Sequence, residues 1–578
     1  MPFAAMPNLG NFNDRQHDGQ FSDALLNTLD SDRGGQVAAS AAIRTLESRT
    51  TPRMVESMDR GAPECLPQYR ALLRGRGDIV MKETIMDRRK FLGESLGLVT
   101  SGIAASGAAS AFAQAPGEPE QAIDKRPNFL FIICDDLTFR SVRGLNNPEI
   151  RTPNIDRLMT SGCTFTHCFH QGSWSPAVCV PSRTMLNSGL TAFHAKEGIN
   201  HVPTWGQTLG NAGYDTYICG KWHLSPDALK RSFKEMGPIG PGMLESTPIG
   251  GDAYGRPRPG DTWQPWDKSR KGHWLHTGVT LHEKHDRIEH AESIYTDRVV
   301  DHLTNKAAKS NTPFFIYLGF NSPHDPRQSP REFVDLYPRD KIAIPPNFLP
   351  QHPFDLGDFK IRDEVLAPFP RTHEAVQLHR REYYALITYT DHQIGRVLDA
   401  LHRSGKASNT YVILTADHGL AVGEHGLMGK QNLYDCSIRM PFVISGPGIA
   451  AGQRSDQLIY QHNLYATTCD LAGIPIPQTV EFPSILSLVR GENRAVYETM
   501  FCYYRDFQRM VRSKTHKLIV YPQIQRMQVF DMENDPWEMH DLSADSSAVR
   551  VRNELLQQLK DMQRELGDKL DLDHPSPA

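Results

Sequence analysis

The chain has no basic tract, no internal repeat and no heptad run. A formal net charge of -4 over 578 residues gives no argument for nucleic acid, and nucleic-acid binding is not expected. A stable membrane span is not expected either: the apolar stretch from Leu96 to Phe112 is too short and too rich in Gly, Ser and Ala. What remains is ordinary for a globular protein. Hydrophobic residues make up 39% and charged residues 22%, and the length suffices for a large core and a smaller second unit.

Residues 86–115 carry Arg88-Arg89, then Phe91-Leu92, a weak apolar region, and A-x-A cleavage sites after Ala113 or Ala115. This reads as a twin-arginine export signal, which implies the Tat machinery as a partner and a periplasmic or secreted location. Such signals act from the N-terminus. Residues 1–85 are polar and aperiodic, and read either as an extension upstream of a start at Met81 or Met86, or as a disordered leader. Nine cysteines are an odd number for an exported chain. Cys163 and Cys168 lie five apart in a strand-like segment, on opposite faces, and should not pair within it. The tail beyond Asp571 reads as disordered.

The folded part begins near Arg126. Asn128 to Cys134 is a continuous apolar run, as expected for a strand buried on both faces, and Asp135-Asp136 follow it. Strands are expected again at Tyr214–Cys219, Pro313–Phe320, Tyr411–Thr415 and Pro441–Ser445, and helices at Asn154–Ser161 and Arg381–Arg403. This alternation predicts an α/β domain over 127–478, with a large, mostly parallel or mixed sheet sandwiched by helices. Each unusual polar cluster follows a strand: Asp135-Asp136, Lys221-Trp222-His223, Ser322-Pro323-His324 and Asp417-His418. Open α/β sheets place ligands at that edge. Residues 479–570 predict a smaller α+β unit with antiparallel strands at Met510–Tyr521 and Met527–Asp531 and a helix over 547–566. Residues 231–295 lack periodicity, and Trp263, Trp266 and Trp274 within them could line a cleft. His273, His276, His282 and His285 lack metal spacing and read as surface residues.

Residues Cys179 to Gly189 spell C-x-P-S-R-x-x-L-x-S-G. Pro181 sits where a first-turn proline would start a helix, about 181–188, with Gly189 near its end. Side chain 179 would then lie at a helix N-terminus, where N–H groups and the dipole favour an anion, and Arg183 would point back at it. The run resembles the signature of type I, formylglycine-dependent sulfatases of the alkaline phosphatase superfamily. Gly220-Lys221-Trp222-His223, Ser322-Pro323-His324 and Gly423-Glu424-His425-Gly426-Leu427-Met428-Gly429-Lys430 follow in the order such sulfatases show, so the resemblance spans about 127–545.

The resemblance implies an arylsulfatase-like sulfuric ester hydrolase. Cys179 would be oxidised by a maturase to Cα-formylglycine, the nucleophile. Asp135, Asp136, Asp417 and His418, with residue 179, would bind Ca2+ in preference to Mg2+. Arg183 and Lys221 would hold the aldehyde hydrate and sulfate charge, His324 and Lys430 would meet the leaving group, and His223 would assist breakdown of the sulfated hydrate. The substrate would be a sulfated carbohydrate or a small sulfate ester. The rival is a phosphonate monoester or phosphodiester hydrolase of the same superfamily; some of those share the C-x-P-S-R motif but resemble this chain less in the Lys221-x-His223 pair. N-terminal sequencing of the unprocessed precursor should find Met81 or Met86; a precursor starting at Met1 would contradict the upstream-extension reading.

Overall fold

A computed structural model describes residues 125–240, 279–280 and 289–573, except 326, 328 and 360. The expected N-terminal extension, the export signal, Trp263, Trp266, Trp274 and His273, His276, His282 and His285 lie outside the described residues.

Strand β1 (Asn128–Asp135) is buried along its whole length, as its unbroken apolar run requires. Helix α1 (Pro153–Ser161) starts at a proline and leads into β2 (Cys163–Phe169) and the short β3 (Gly172–Ser173). Helix α2 (Cys179–Ser188) ends at Gly189, whose φ of 71° only glycine adopts cheaply. Next come β4 (Asp215–Lys221), β5 (Glu235–Gly240), α3 (Ala291–Asp301) and β6 (Phe314–Pro323). Helix α4 (His373–Arg403) begins eight residues before the expected start, because Thr372 caps it by accepting from the Ala375 N–H. Strands β7 (Thr410–Ala416), β8 (Arg439–Ser445), β9 (Gln453–Ser455) and β10 (Ile459–Tyr460) precede helix α5 (Leu464–Ala472).

These strands form one sheet in the order β9-β2-β8-β7-β1-β6-β4-β5, with β10 also on β2. Strands β7, β1, β6, β4 and β5 run parallel; β8 is antiparallel to both β7 and β2. The segment expected to be irregular from residue 231 thus opens with an edge strand, β5, recruited by pairing to β4 rather than by its own periodicity. Helices α1 and α3 pack along α4, and α2 packs on α5.

The C-terminal unit holds β11 (Met500–Tyr504), β12 (Gln508–Arg512), β13 (His516–Tyr521), β14 (Arg526–Asp531) and helix α6 (Val549–Leu566). The segment from Met510 to Tyr521 is therefore two strands joined at 513–515, where the Ser513 N–H closes the turn on the His516 carbonyl. Strand β11 was not expected. The sheet order is β14-β13-β12-β11-β3, so Gly172–Ser173 forms its edge, on β11. Of the tail beyond Asp571, Leu572 is buried and Asp573 pairs with Lys560 at 2.7 Å, and the rest lies outside the described residues. A buried ion cluster ties the sheet to the segment after Lys430. Lys517 Nζ lies 2.6 Å from both Asp435 and Glu538, and Arg512 and Arg439 also face Asp435. Burial opposes ionisation of Asp435, but Arg512 and Lys517 outweigh it and hold the carboxyl well below its ordinary range.

Parallel pairing sends the carboxyl ends of β7, β1, β6 and β4 to one edge. The pairing is tight where β4 and β6 leave the sheet. Gly220 has a φ of 91°, and a Cβ there would lie 1.9 Å from the Gly319 carbonyl oxygen. Gly220→Ala should therefore destabilise the fold by more than about 2 kcal/mol, read as a lower urea midpoint; an unchanged midpoint would contradict this packing account.

Candidate active site

Cys179 is the first residue of α2, two positions earlier than the sequence suggested, so its Sγ lies within the helix N-terminal turn. The Sγ is 3.2 Å from His223 Nδ1 and 3.9 Å from Lys221 Nζ. Burial alone would raise the thiol pKa, but Lys221 and His223 outweigh it and hold it well below the ordinary value. Lys221 closes β4. His223, two residues on, takes a left-handed φ of 62°, which turns its ring back toward Cys179.

Asp135 ends β1 and Asp136 follows at a φ of 68°. Asp417 follows β7, and its Oδ2 accepts from Arg183 Nε at 2.9 Å in a fully buried pair. Its Oδ1 accepts from the backbone N–H groups of His418 (3.0 Å) and Asp136 (3.3 Å). Lys221 pairs with Asp135, and Lys430 Nζ lies 2.8 Å from Asp136 Oδ1. Burial disfavours the charged form of Asp135, yet Lys221, His324 and Arg183 hold it well below the usual carboxylate range. Burial, with Asp135 nearby, raises Asp417. Burial would lower His418, but Asp417 lifts it to about 9. Lys430 is raised well above its ordinary value, Asp136 overcoming burial.

The donor set fits a divalent cation. Ligand atoms of Asp135, Cys179, Asp417 and His418 lie within 4.8 Å of one another, and those of Asp136 group with His324 and Asp325. Asp135 Oδ1, Asp136 Oδ2 and His418 Nε2 are buried without a hydrogen-bond partner. Orphaned carboxylate oxygens in an interior are expensive, and a hard cation is what oxygen ligands of this kind accept. His324 completes the ring with Nε2 3.9 Å from Asp136 Oδ2. The structure thus brings together all ten expected residues: Asp135, Asp136, Cys179, Arg183, Lys221, His223, His324, Asp417, His418 and Lys430.

A sulfatase family profile matches residues 127–474, and a second profile, that of the N-sulphoglucosamine sulphohydrolase C-terminal region, matches 423–565. The chain belongs to the sulfatase family. Among its relatives is an arylsulfatase of Clostridium perfringens, 25% identical over 72% of this chain and 90% of that one. A solved structure in complex with its substrate D-glucosamine-2-N,6-O-disulfate superposes with a TM-score of 0.60 at 21% identity, over 77% of this chain and 99% of that one. The phosphonate monoester hydrolase of Silicibacter pomeroyi also superposes with a TM-score of 0.60 at 21% identity, over 77% and 96%. The alkaline-phosphatase-like fold is thus shared by both enzyme types, while the family match makes this chain a sulfuric ester hydrolase.

The cluster also contains residues that the sequence did not announce. Gln431 joins three loops: its Oε1 accepts from the Lys430 N–H at 3.0 Å, and its Nε2 donates to the Pro176 carbonyl and to Asp363, each at 2.9 Å. Asp363 and Asp325 share Arg362, whose Nη2 lies 3.0 Å from Asp325 Oδ1, and Asp325 lies 3.4 Å from His324. Gln461 donates to the Asp417 carbonyl (2.8 Å) and to Ser182, which donates to the same carbonyl at 2.6 Å. A Gln immediately after Lys430 was the one available signal, and a neutral side chain carries none on its own. Gln431→Ala should lower kcat about 10- to 100-fold with the melting temperature little changed. Steady-state kinetics with differential scanning fluorimetry check this; an unchanged kcat would mean that Lys430 is positioned without it.

Proposed function

We propose that this sulfatase is an exported enzyme that removes sulfate from a sulfated carbohydrate, using Cα-formylglycine made by a maturase from Cys179. The observation that carries the reading is residue 179 at the N-terminus of α2, held between His223 and Lys221 and one turn from Arg183. Formylglycine would supply a hydrate, one hydroxyl of which attacks sulfur while the other later expels sulfate. Asp135, Asp136, Asp417 and His418 would hold a divalent cation, calcium in preference to magnesium, which when bound supplies a Lewis acid for a sulfate oxygen.

The chain's own residues then have separate tasks. Asp417 sits to accept the proton of the attacking hydroxyl, with Arg183 fixing its orientation. Arg183 and Lys221 face the negative charge of the bound sulfate. His324 and Lys430 stand on the leaving-group side, with His324 as general acid. His223 Nδ1, 3.2 Å from the residue-179 side-chain atom, takes the proton when the sulfated hydrate breaks down. The N-sulphoglucosamine sulphohydrolase profile and the neighbour with a disulfated glucosamine support a sugar substrate. The twin-arginine pattern at Arg88-Arg89 supports Tat export to the periplasm or beyond.

A phosphonate monoester or phosphodiester hydrolase is the second reading, favoured by the Silicibacter pomeroyi likeness. The Lys221-x-His223 pair favours the sulfatase. The deciding experiment compares kcat/KM on glucosamine sulfates, galactose sulfates, choline sulfate, an aryl sulfate and an aryl phosphonate. Preference for a sugar sulfate is the expected result, and preference for the phosphonate would promote the rival. Cys179→Ala should lose about 10^4-fold or more in kcat. Calcium at 100 times its Kd should stabilise chelator-treated protein by about 2.7 kcal/mol, read as a higher melting temperature; no shift with calcium or magnesium would contradict the cation site.

A further inference from the structure

A second cleft, about 830 Å3, opens beside the chain between β3 and α2, where that stretch meets the C-terminal unit. Three half-buried aromatic rings line it: Trp174, Phe193 and Phe507. Phe193 is fixed by stacking on Tyr503, with ring centroids 4.7 Å apart. Arg505 lies 4.9 Å over the Phe507 ring and is held by Asp358 at 3.0 Å. At the rim stand Lys196 and Lys569, both exposed and, among the described residues, without an ion pair.

Of the acids of the cleft, Asp568 is neutralised, while Asp506 and Asp571 keep their charge at the rim. Asp568 pairs with buried Arg509 at 2.6 Å, Asp506 faces the same guanidinium at 3.9 Å, and Asp571 accepts from the Asp573 N–H. What the cleft offers a ligand is therefore ring faces, two ammonium groups outside any ion pair among the described residues, and the Asp506 and Asp571 carboxylates as acceptors for sugar hydroxyls. Aromatic faces carry negative potential and attract the weakly positive C–H face of a pyranose, and ammonium groups attract sulfate. A purely apolar ligand would leave both lysines unused.

The cleft is also within reach of the reaction. Trp174 precedes Cys179 by five residues, so its Cα is no more than about 17 Å from the nucleophile's even if that stretch were fully extended. Strand β3 pins the stretch: the Arg505 N–H donates to the Ser173 carbonyl at 2.7 Å. We infer that this cleft is a distal subsite for a second sulfated sugar unit of the same glycan whose scissile sulfate sits at residue 179. The inference rests on the carbohydrate reading above and adds that the substrate is an oligomer. Binding energy from a remote unit raises kcat/KM for the longer substrate, while a monosaccharide gains nothing from it.

The test uses the full mature enzyme. Sulfate release is measured on glucosamine and galactose sulfates and on sulfated tetrasaccharides ending in the same units. The wild type should favour the tetrasaccharide by about 10-fold or more in kcat/KM. Lys196→Ala/Lys569→Ala, two exposed changes that should not disturb folding, should erase most of that preference and leave the monosaccharide value unchanged. Trp174→Ala should do the same and raise KM for the tetrasaccharide. Equal loss on both substrate lengths, or no loss in either variant, would overturn the subsite. A wild type that cleaves the aryl sulfate but neither length of sugar would overturn the carbohydrate reading together with the subsite, and the wild type alone reveals that case.

Discussion

Three carboxylates, Asp135, Asp136 and Asp417, are buried at one edge of a parallel sheet, and the rest of the site is arranged around their repulsion. Lys221, Lys430 and Arg183 each approach one of them, and His418 approaches all three. Like charges packed in a low-dielectric interior are tolerated only with such compensation. The same concentration of charge makes the site useful. In the proposed mechanism it supplies hard ligands for a cation, cations for a sulfate, and an electropositive N-terminal turn for residue 179. Parallel pairing makes this possible, since four neighbouring strands deliver their carboxyl ends to one place from positions some 280 residues apart.

The C-terminal unit is part of that arrangement rather than an appendage. Gln508 on β12 donates to the Gln431 carbonyl at 3.1 Å, directly beside Lys430. Lys517 and Arg512 neutralise Asp435 five residues further on, inside the fold. Strand β3, six residues before Cys179, is paired to β11. The segments on either side of the Cys179 pocket are thus held by the small sheet, which fixes their distance from α2.

Much of the fold was legible because buried parallel strands read as unbroken apolar runs, as Asn128–Cys134 does. The site was legible because strand-end clusters such as Asp417-His418 and Gly220-Lys221-Trp222-His223 combine unusual residues in short windows. What escaped was set by tertiary pairing. Strand β5 forms only because β4 offers it an edge, β3 is two residues long, and β11 has no isolated pattern to separate it from its hairpin. Gln431, Gln461 and Arg362 escaped for a different reason. The two glutamines act through hydrogen bonds to segments distant in sequence and Arg362 through ion pairs with Asp325 and Asp363, and the fold rather than the residue type decides which partners they meet.

The most direct test of the account is the mass of the tryptic peptide containing residue 179, from protein produced in a host with a formylglycine maturase. The aldehyde, and its hydrate, should occupy that position in most of the active protein. A peptide carrying only the unmodified thiol, in a preparation that still releases sulfate at full rate, would contradict it.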